Sequence, residues 1–339
     1  MGRVVCLSFP LATGPNEVER VRAIHPAIEV VAAPYIEDEG RRQSRHQLSS
    51  DALRADAPPL TKETRRAFER AEVVLALDVP VGLADFAKNL RWVHVIGAGT
   101  DHLAGAGLAE HDVVVTNSSG VAARSIAEYV VGRLLMIWKR FPEQAELQRQ
   151  KQWSPTYGRT IGGSTIGIVG VGAIGSTLAR LLKAFGATVL GLKRTPVAGL
   201  PVDQLYAPEG LHAMLARSDA VVLAAPAGDG THHLINREAL AAMRAGAVLV
   251  NVARGSLVDE AALVEALESG QLGAAALDVF ATEPLPPTSP LWSLANCYVS
   301  AHCSVSLDRY VEDVMAIFED NLRRYMKGEP LRNLVSVGL

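Results

Sequence analysis

Three polar residues stand where the strands of a parallel sheet would end. The apolar run AVLVNVA (247–253) leads into Arg254-Gly255. AAALDVF (274–280) is followed at once by Ala281-Thr282-Glu283-Pro284, and CYVS (297–300) by Ala301-His302. Ligands of open α/β sheets bind beyond the carboxyl ends of the strands, so an arginine, a glutamate and a histidine are expected on one edge. Together they suit the reduction of a carbonyl beside a carboxylate. The arginine can clamp the carboxylate and polarise the carbonyl. The histidine, whose ordinary pKa of about 6.5 is near working pH, can supply the proton. A glutamate beside it would orient the imidazole and favour its charged form. Each residue alone would read as a surface or core group; three at successive strand ends do not.

A nucleotide site belongs on the same edge. The run TIGIVG (165–170) passes into Gly170, Gly172 and Gly175, a GxGxxG, and a helical pattern begins at Ala173 and Ile174. Gly170 would allow the tight turn, Gly172 the approach of a pyrophosphate, and Gly175 close packing of helix on sheet. The helix N-terminus would present N–H groups to the phosphates. Where a ribose-binding acid would stand, about 20 residues on, the chain has Lys193-Arg194-Thr195, and no Asp or Glu occurs between Gly170 and Asp203. Cations there favour a 2′-phosphate through charge-assisted hydrogen bonds, so NADP(H) is expected over NAD(H).

The elements that must carry these residues follow from the alternation of short apolar runs with helical patterns. Strands are expected at 4–9, 29–33, 73–77, 93–96 and 113–116, then a helix over 125–141 ended or bent by Pro142. A second series follows, with strands at 165–169, 187–192, 220–224, 247–252, 274–279 and 297–300 and a final helix over 307–326. This rhythm predicts an α/β fold: a Rossmann-type doubly wound parallel sheet inserted into a second, flavodoxin-like α/β domain. The inner, dinucleotide-binding domain would be 118–302, and the discontinuous outer, substrate domain 1–117 plus 303–339.

Composition bounds the rest. The 339 residues suit two domains, and 49% hydrophobic residues suffice for two cores. A net charge of −3 gives no nucleic-acid footprint. Cys6, Cys297 and Cys303 are too scattered for a disulfide framework or zinc site, and His232-His233 are poorly placed for one metal, so no metal is expected. The amino terminus lacks a secretory pattern and no membrane-spanning run occurs. A cytoplasmic protein is the expectation, with no membrane and no nucleic-acid partner. The Arg41-Arg42 cluster reads as a solvated loop, and Tyr35, Arg41 and Arg45 as exposed side chains.

The segments GAGTDHL (97–103), GIVGVGAIG (167–175), VLVNVARGSLVDEAALVEAL (248–267), GAAALDVFATEPL (273–285) and AHCS (301–304) occur in an order that resembles the D-isomer-specific 2-hydroxyacid dehydrogenases. The likeness runs from about residue 70 to the carboxyl end. It implies reduction of a 2-oxo acid to a D-2-hydroxy acid, and the reverse, with Arg254 binding substrate, His302 as acid/base and Glu283 as its partner. It also implies that the backbone of Ala98 and Gly99 holds the substrate carboxylate, that Asp278, Ala225, Pro226, Val252 and Ala253 line the nicotinamide end, and that homodimers form through the cofactor domains around 125–138. Glu283 replaces the glutamine of the formate-oxidising branch. Ala301 before the histidine and Cys303-Ser304 after it depart from the family's usual proline and small residues; Cys303 reads as packing. Substrate choice would rest with loops at 34–46 and 77–81, with glyoxylate or hydroxypyruvate as the starting candidates. Two alternatives stay open: a cofactor-sensing, corepressor-like binding protein on the same fold, and a dehydrogenase of another small anion such as phosphite.

Overall fold

Val- and Leu-rich runs of four to six residues, buried on both faces, are what a helix-covered parallel sheet requires. A computed structural model, which describes residues 2–45, 50–55, 57–195, 197–228 and 230–335, arranges them in two units, Met1–Val121 with Leu307–Leu339, and Ala122–Ser306. Along the first unit run β1 (Arg3–Leu7), α1 (Pro15–Arg22), β2 (Ile28–Ala32), α2 (Glu39–Ser44), α3 (Ser50–Ala55), α4 (Lys62–Arg70), β3 (Val73–Ala76), α5 (Leu83–Phe86), β4 (Trp92–Val95) and β5 (Val114–Asn117). The second contains α6 (Ala123–Trp138), α7 (Phe141–Arg149), β6 (Thr165–Val169), α8 (Ala173–Ala184), β7 (Thr188–Leu192), β8 (Gln204–Tyr206), α9 (Leu211–Leu215), β9 (Ala220–Leu223), α10 (Arg237–Ala242), β10 (Ala247–Asn251), α11 (Glu260–Glu268), β11 (Leu272–Leu277) and β12 (Cys297–Val299). The chain then returns to the first unit with α12 (Tyr310–Lys327) and β13 (Leu334–Val335).

Among the described residues the strands form two sheets. In the first unit the order is β13-β5-β4-β3-β1-β2, parallel except for β13. Its 2-1-3-4-5 core is the flavodoxin-like order. In the second the order is β12-β11-β10-β9-β6-β7-β8, all parallel. Numbered within the unit, that is 3-2-1-4-5-6 with one strand added, the dinucleotide-binding order. Its reversal of direction falls between β6 and β9. Helices cover both faces. Ile126, Val130 and Leu134 of α6 and Leu178 and Leu182 of α8 pack on one side, and Met214, Leu240 and Leu263 of α9, α10 and α11 on the other. In the first unit, Val314, Phe318 and Leu322 of α12 close over Val5, Leu75 and Trp92.

Three local readings need correction. The helix expected to reach residue 141 stops at Trp138. Arg140 turns the chain in the left-handed region (φ 58), and Pro142 opens α7 instead of ending α6. A proline is harmless in a first helical turn because the N–H it lacks has no acceptor there. The edge strands β8 and β13 had no alternating pattern long enough to register. Arg41-Arg42 belong to helix α2, capped by the Asp38 carboxylate at the Arg41 N–H.

Candidate active site

The glycine turn lies at the switch point of the second sheet. Gly170 takes φ 96, and a Cβ there would come within 2.6 Å of the Ala225 nitrogen at the end of β9. The turn therefore crosses the neighbouring strand's end in backbone contact, which only glycine permits. Gly175 is closed in the same way, its would-be Cβ 2.2 Å from the Gly170 carbonyl oxygen. Gly172 differs. As N-cap of α8 it would direct a Cβ into space with nothing within 4 Å. The Ser176 N–H is bonded to the Gly172 carbonyl, and the N–H groups of Ala173, Ile174 and Gly175 before it belong to the first turn of α8, where donors have no acceptor within the helix. A backbone cradle open at one glycine and lined by helix N-terminal donors fits the diphosphate of a dinucleotide.

Lys193 follows the last residue of β7, and its Nζ lies 3.4 Å from the Val171 carbonyl, across the glycine turn. Arg194 and Thr195 beside it are exposed. The three polar residues end adjacent strands. Arg254 follows β10; its backbone is fixed by Asn251, whose Nδ2 donates to the Arg254 carbonyl (2.9 Å) and whose Oδ1 accepts from the Ala253 N–H (3.0 Å). Such a side-chain-to-backbone turn suits asparagine. A Cβ on Gly255 would sit 1.8 Å from the Phe280 carbonyl carbon, so the loops after β10 and β11 run in contact. Val252 and Ala253 are buried, Ala225 half-buried and Pro226 exposed.

Glu283 and His302 form a pair. The His302 Nδ1 is 2.9 Å from Glu283 Oε2, and Glu283 Oε1 accepts from the Phe280 N–H (2.8 Å). The carboxylate side chain is 8% exposed and the imidazole 40%. A buried acceptor on Nδ1 and a ring left part-exposed suit a proton-donating imidazole. Asp278 is buried, and its carboxylate accepts from Ser300 Oγ and the Cys303 and Ser304 N–H groups. Expected at the nicotinamide end, it also binds the loop after His302. Cys303 is exposed, not packed. Asn251, Ser300 and Tyr129 escaped the sequence reading, although the asparagine stands in plain view before Arg254-Gly255.

In the first unit, Ala98 and Gly99 form an accessible loop beyond β4, where Asn117 Nδ2 donates to the Ala98 carbonyl (2.6 Å). The expectation of exposure fails for Arg45, which is fully buried, and for Tyr35 and Arg41, which are largely covered. Arg45 Nη1 donates to the carbonyls of Val79 and His102 (both 2.8 Å), tying the loops after β3 and β4 together. Arg42 binds both oxygens of the buried Asp78 at 2.8 Å, and the Tyr35 hydroxyl donates to Glu37. His46, at the end of the 34–46 loop, lies outside the described residues. Among the described residues no group of three or more His, Cys, Asp or Glu could hold a metal ion, and no helix is long and apolar enough to cross a membrane.

Residues 131–304 match the family model of the D-isomer specific 2-hydroxyacid dehydrogenase NAD binding domain. A glyoxylate reductase of Thermofilum pendens is 32% identical over 285 residues, 81% of this chain and 84% of its own. The crystal structure of a D-isomer specific 2-hydroxyacid dehydrogenase from Xanthobacter autotrophicus Py2, in complex with NADPH and MES, superposes with a TM-score of 0.77 at 29% identity, covering 99% of this chain and 98% of that one. An NADPH-dependent glyoxylate/hydroxypyruvate reductase from Sinorhizobium meliloti, in complex with NADP and sulfate, gives 0.77 at 27% identity, covering 98% of each chain.

Proposed function

The chain belongs to the D-isomer specific 2-hydroxyacid dehydrogenase family, and on that premise we propose that it reduces a small 2-oxo acid to its D-2-hydroxy acid, and the reverse, with NADP(H) in preference to NAD(H). The observation that carries the reading is the His302–Glu283 pair at 2.9 Å on the sheet edge that also bears Arg254 and the glycine turn. Glyoxylate and hydroxypyruvate lead as substrates because the relatives named above act on them.

Each residue's task follows from its chemistry. The Arg254 guanidinium binds the substrate carboxylate and draws electron density from the 2-oxo group. The backbone of Ala98 and Gly99 is the further carboxylate-holding group that the family resemblance implies. His302, charged, gives its Nε2 proton to the carbonyl oxygen, and takes it back in oxidation. Glu283 holds the imidazole by Nδ1 and stabilises the charge that the proton transfer requires. A nicotinamide dinucleotide bound at Gly170–Gly175, with Ala225, Pro226, Val252, Ala253 and Asp278 towards its reactive end, supplies the hydride. Lys193, Arg194 and Thr195 take the 2′-phosphate. The protein pairs as a homodimer through its second unit, where Trp153, Tyr157 and Phe141 leave large apolar surface exposed beyond α6. It works in the cytoplasm, where the exposed Cys303 stays reduced.

His302→Gln tests the reading. Turnover is expected to fall by about a hundredfold to ten-thousandfold, the usual contribution of a positioned acid, while NADPH binding is retained. Unimpaired turnover would remove His302 from the reaction.

A further inference from the structure

The loop that carries His302 is held by a directed run of hydrogen bonds that starts on a different element. His302 stands at φ 48, a backbone state that a non-glycine residue keeps only when its surroundings impose it. Asp278 imposes it from beneath. Its carbonyl accepts the His302 N–H (2.8 Å), its Oδ1 accepts from the Cys303 N–H (2.9 Å) and the Ser300 hydroxyl (2.7 Å), and its Oδ2 from the Ser304 N–H (2.9 Å). Behind Ser300, the Tyr129 hydroxyl of α6 bonds the Ser300 hydroxyl. Arg133, one turn further along α6, donates Nε to the Tyr129 oxygen (2.8 Å) and lays its guanidinium 4.9 Å from the ring centroid.

The proton positions in this run are determined. A carboxylate can only accept, so the Ser300 proton goes to Asp278 Oδ1 at 2.7 Å in preference to the Leu277 carbonyl at 3.4 Å. Ser300 Oγ then accepts from the Tyr129 hydroxyl, whose oxygen in turn accepts from the Arg133 guanidinium. All donors point the same way, from a cation to a carboxylate, and such chains strengthen each member. Ala301, between Ser300 and His302, gives the backbone no rigidity of its own. We infer that Tyr129 is a positioning residue for His302, acting through Ser300 and Asp278, so that α6 sets the aim of the imidazole at Glu283. The inference rests on the proposed acid/base role of His302 only for its effect on turnover; the placement of the imidazole is measurable without it.

The test compares the full-length protein with Tyr129→Phe, which keeps the ring, and with Ser300→Ala and Ser300→Thr. The His302 Nδ1 proton, hydrogen-bonded to Glu283, is followed by NMR, its signal assigned by loss in His302→Gln. Among the described residues, the charged or titratable groups bonded into this segment include Glu283, Asp278, Cys303 and Tyr129, with Arg133 behind Tyr129. Slackening the loop loosens the Nδ1–Glu283 pair, so in Tyr129→Phe and Ser300→Ala the Nδ1 proton signal is expected to move upfield and to exchange faster with solvent. kcat should fall by about tenfold with the Michaelis constant for cofactor unchanged, and Ser300→Thr should restore both the signal and kcat. An unmoved Nδ1 signal in both Tyr129→Phe and Ser300→Ala overturns the inference, as does a loss of kcat with that signal unchanged, which marks a merely structural role. An inactive wild type sinks the proposed function and leaves this inference to the Nδ1 signal.

Discussion

Lys193 and Arg194 occupy the end of the strand that would otherwise offer an acid to a free ribose, and Lys193 already lies across the glycine turn. On the proposed reading a 2′-phosphate there exchanges solvent for charge-assisted donors, and loss of those donors should cost accordingly. Lys193→Ala with Arg194→Ala is expected to raise the Michaelis constant for NADPH by about tenfold to a hundredfold and to leave that for NADH nearly unchanged. Equal effects on the two cofactors would refute the assignment. The residues proposed for the chemistry were legible because their positions are local: Arg254, Glu283 and His302 each follow an apolar run that reads as a strand. Arg45 was illegible for the opposite reason. Its burial depends on Val79 and His102, which lie in loops far along the chain, and nothing near Arg45 announces them. Tyr129 and Ser300, 171 residues apart, escaped in the same way.

At the scale of elements, the glycines separate folding from binding. Gly172 and Gly255 stand in comparable turns, yet a Cβ on the first meets nothing within 4 Å and on the second strikes the Phe280 backbone at 1.8 Å. Gly172→Ala should therefore leave the unfolding midpoint nearly unchanged and weaken NADPH binding by about tenfold or more, as measured by fluorescence titration, because the methyl enters the proposed diphosphate cradle. Gly255→Ala should destabilise the protein by about 3 kcal/mol, seen in denaturant unfolding. Loss of stability in Gly172→Ala with intact binding would show the cradle to be misassigned. Strand positions were readable to within a few residues because buried parallel strands are continuous apolar runs. The break after α6 was not, because Arg140 in a left-handed turn carries no glycine to signal it and Pro142 serves equally to end one helix or begin the next.

For the whole molecule, stability depends also on titratable groups buried within the sheets. His94 on β4 is fully buried, with Nδ1 2.7 Å from Thr116 Oγ1 and Nε2 3.0 Å from Ser118 Oγ. Burial pushes its pKa down to about 3 from an ordinary 6.5. Between these values the unfolded chain binds the proton that the folded one refuses, so stability falls as pH drops from 6.5 towards 3. The contribution of His94 is about 1.4 kcal/mol per pH unit across that window. Denaturant unfolding at stepped pH should show a shallower decline in His94→Asn than in the wild type; parallel declines would mean that His94 is not the titrating group. The two α/β units and the return of the last helix to the first were legible from alternation and connection rules, whereas the edge strands β8 and β13 were too short to register and the choice of substrate side chain has no local pattern. The most direct measurement is oxidation of NADPH and of NADH, in parallel, by the purified protein with glyoxylate, hydroxypyruvate, pyruvate and larger 2-oxo acids. Turnover led by NADPH, with a small 2-oxo acid preferred and a D-2-hydroxy acid as product, is expected. Cofactor binding without turnover of any 2-oxo acid would contradict the assigned reaction.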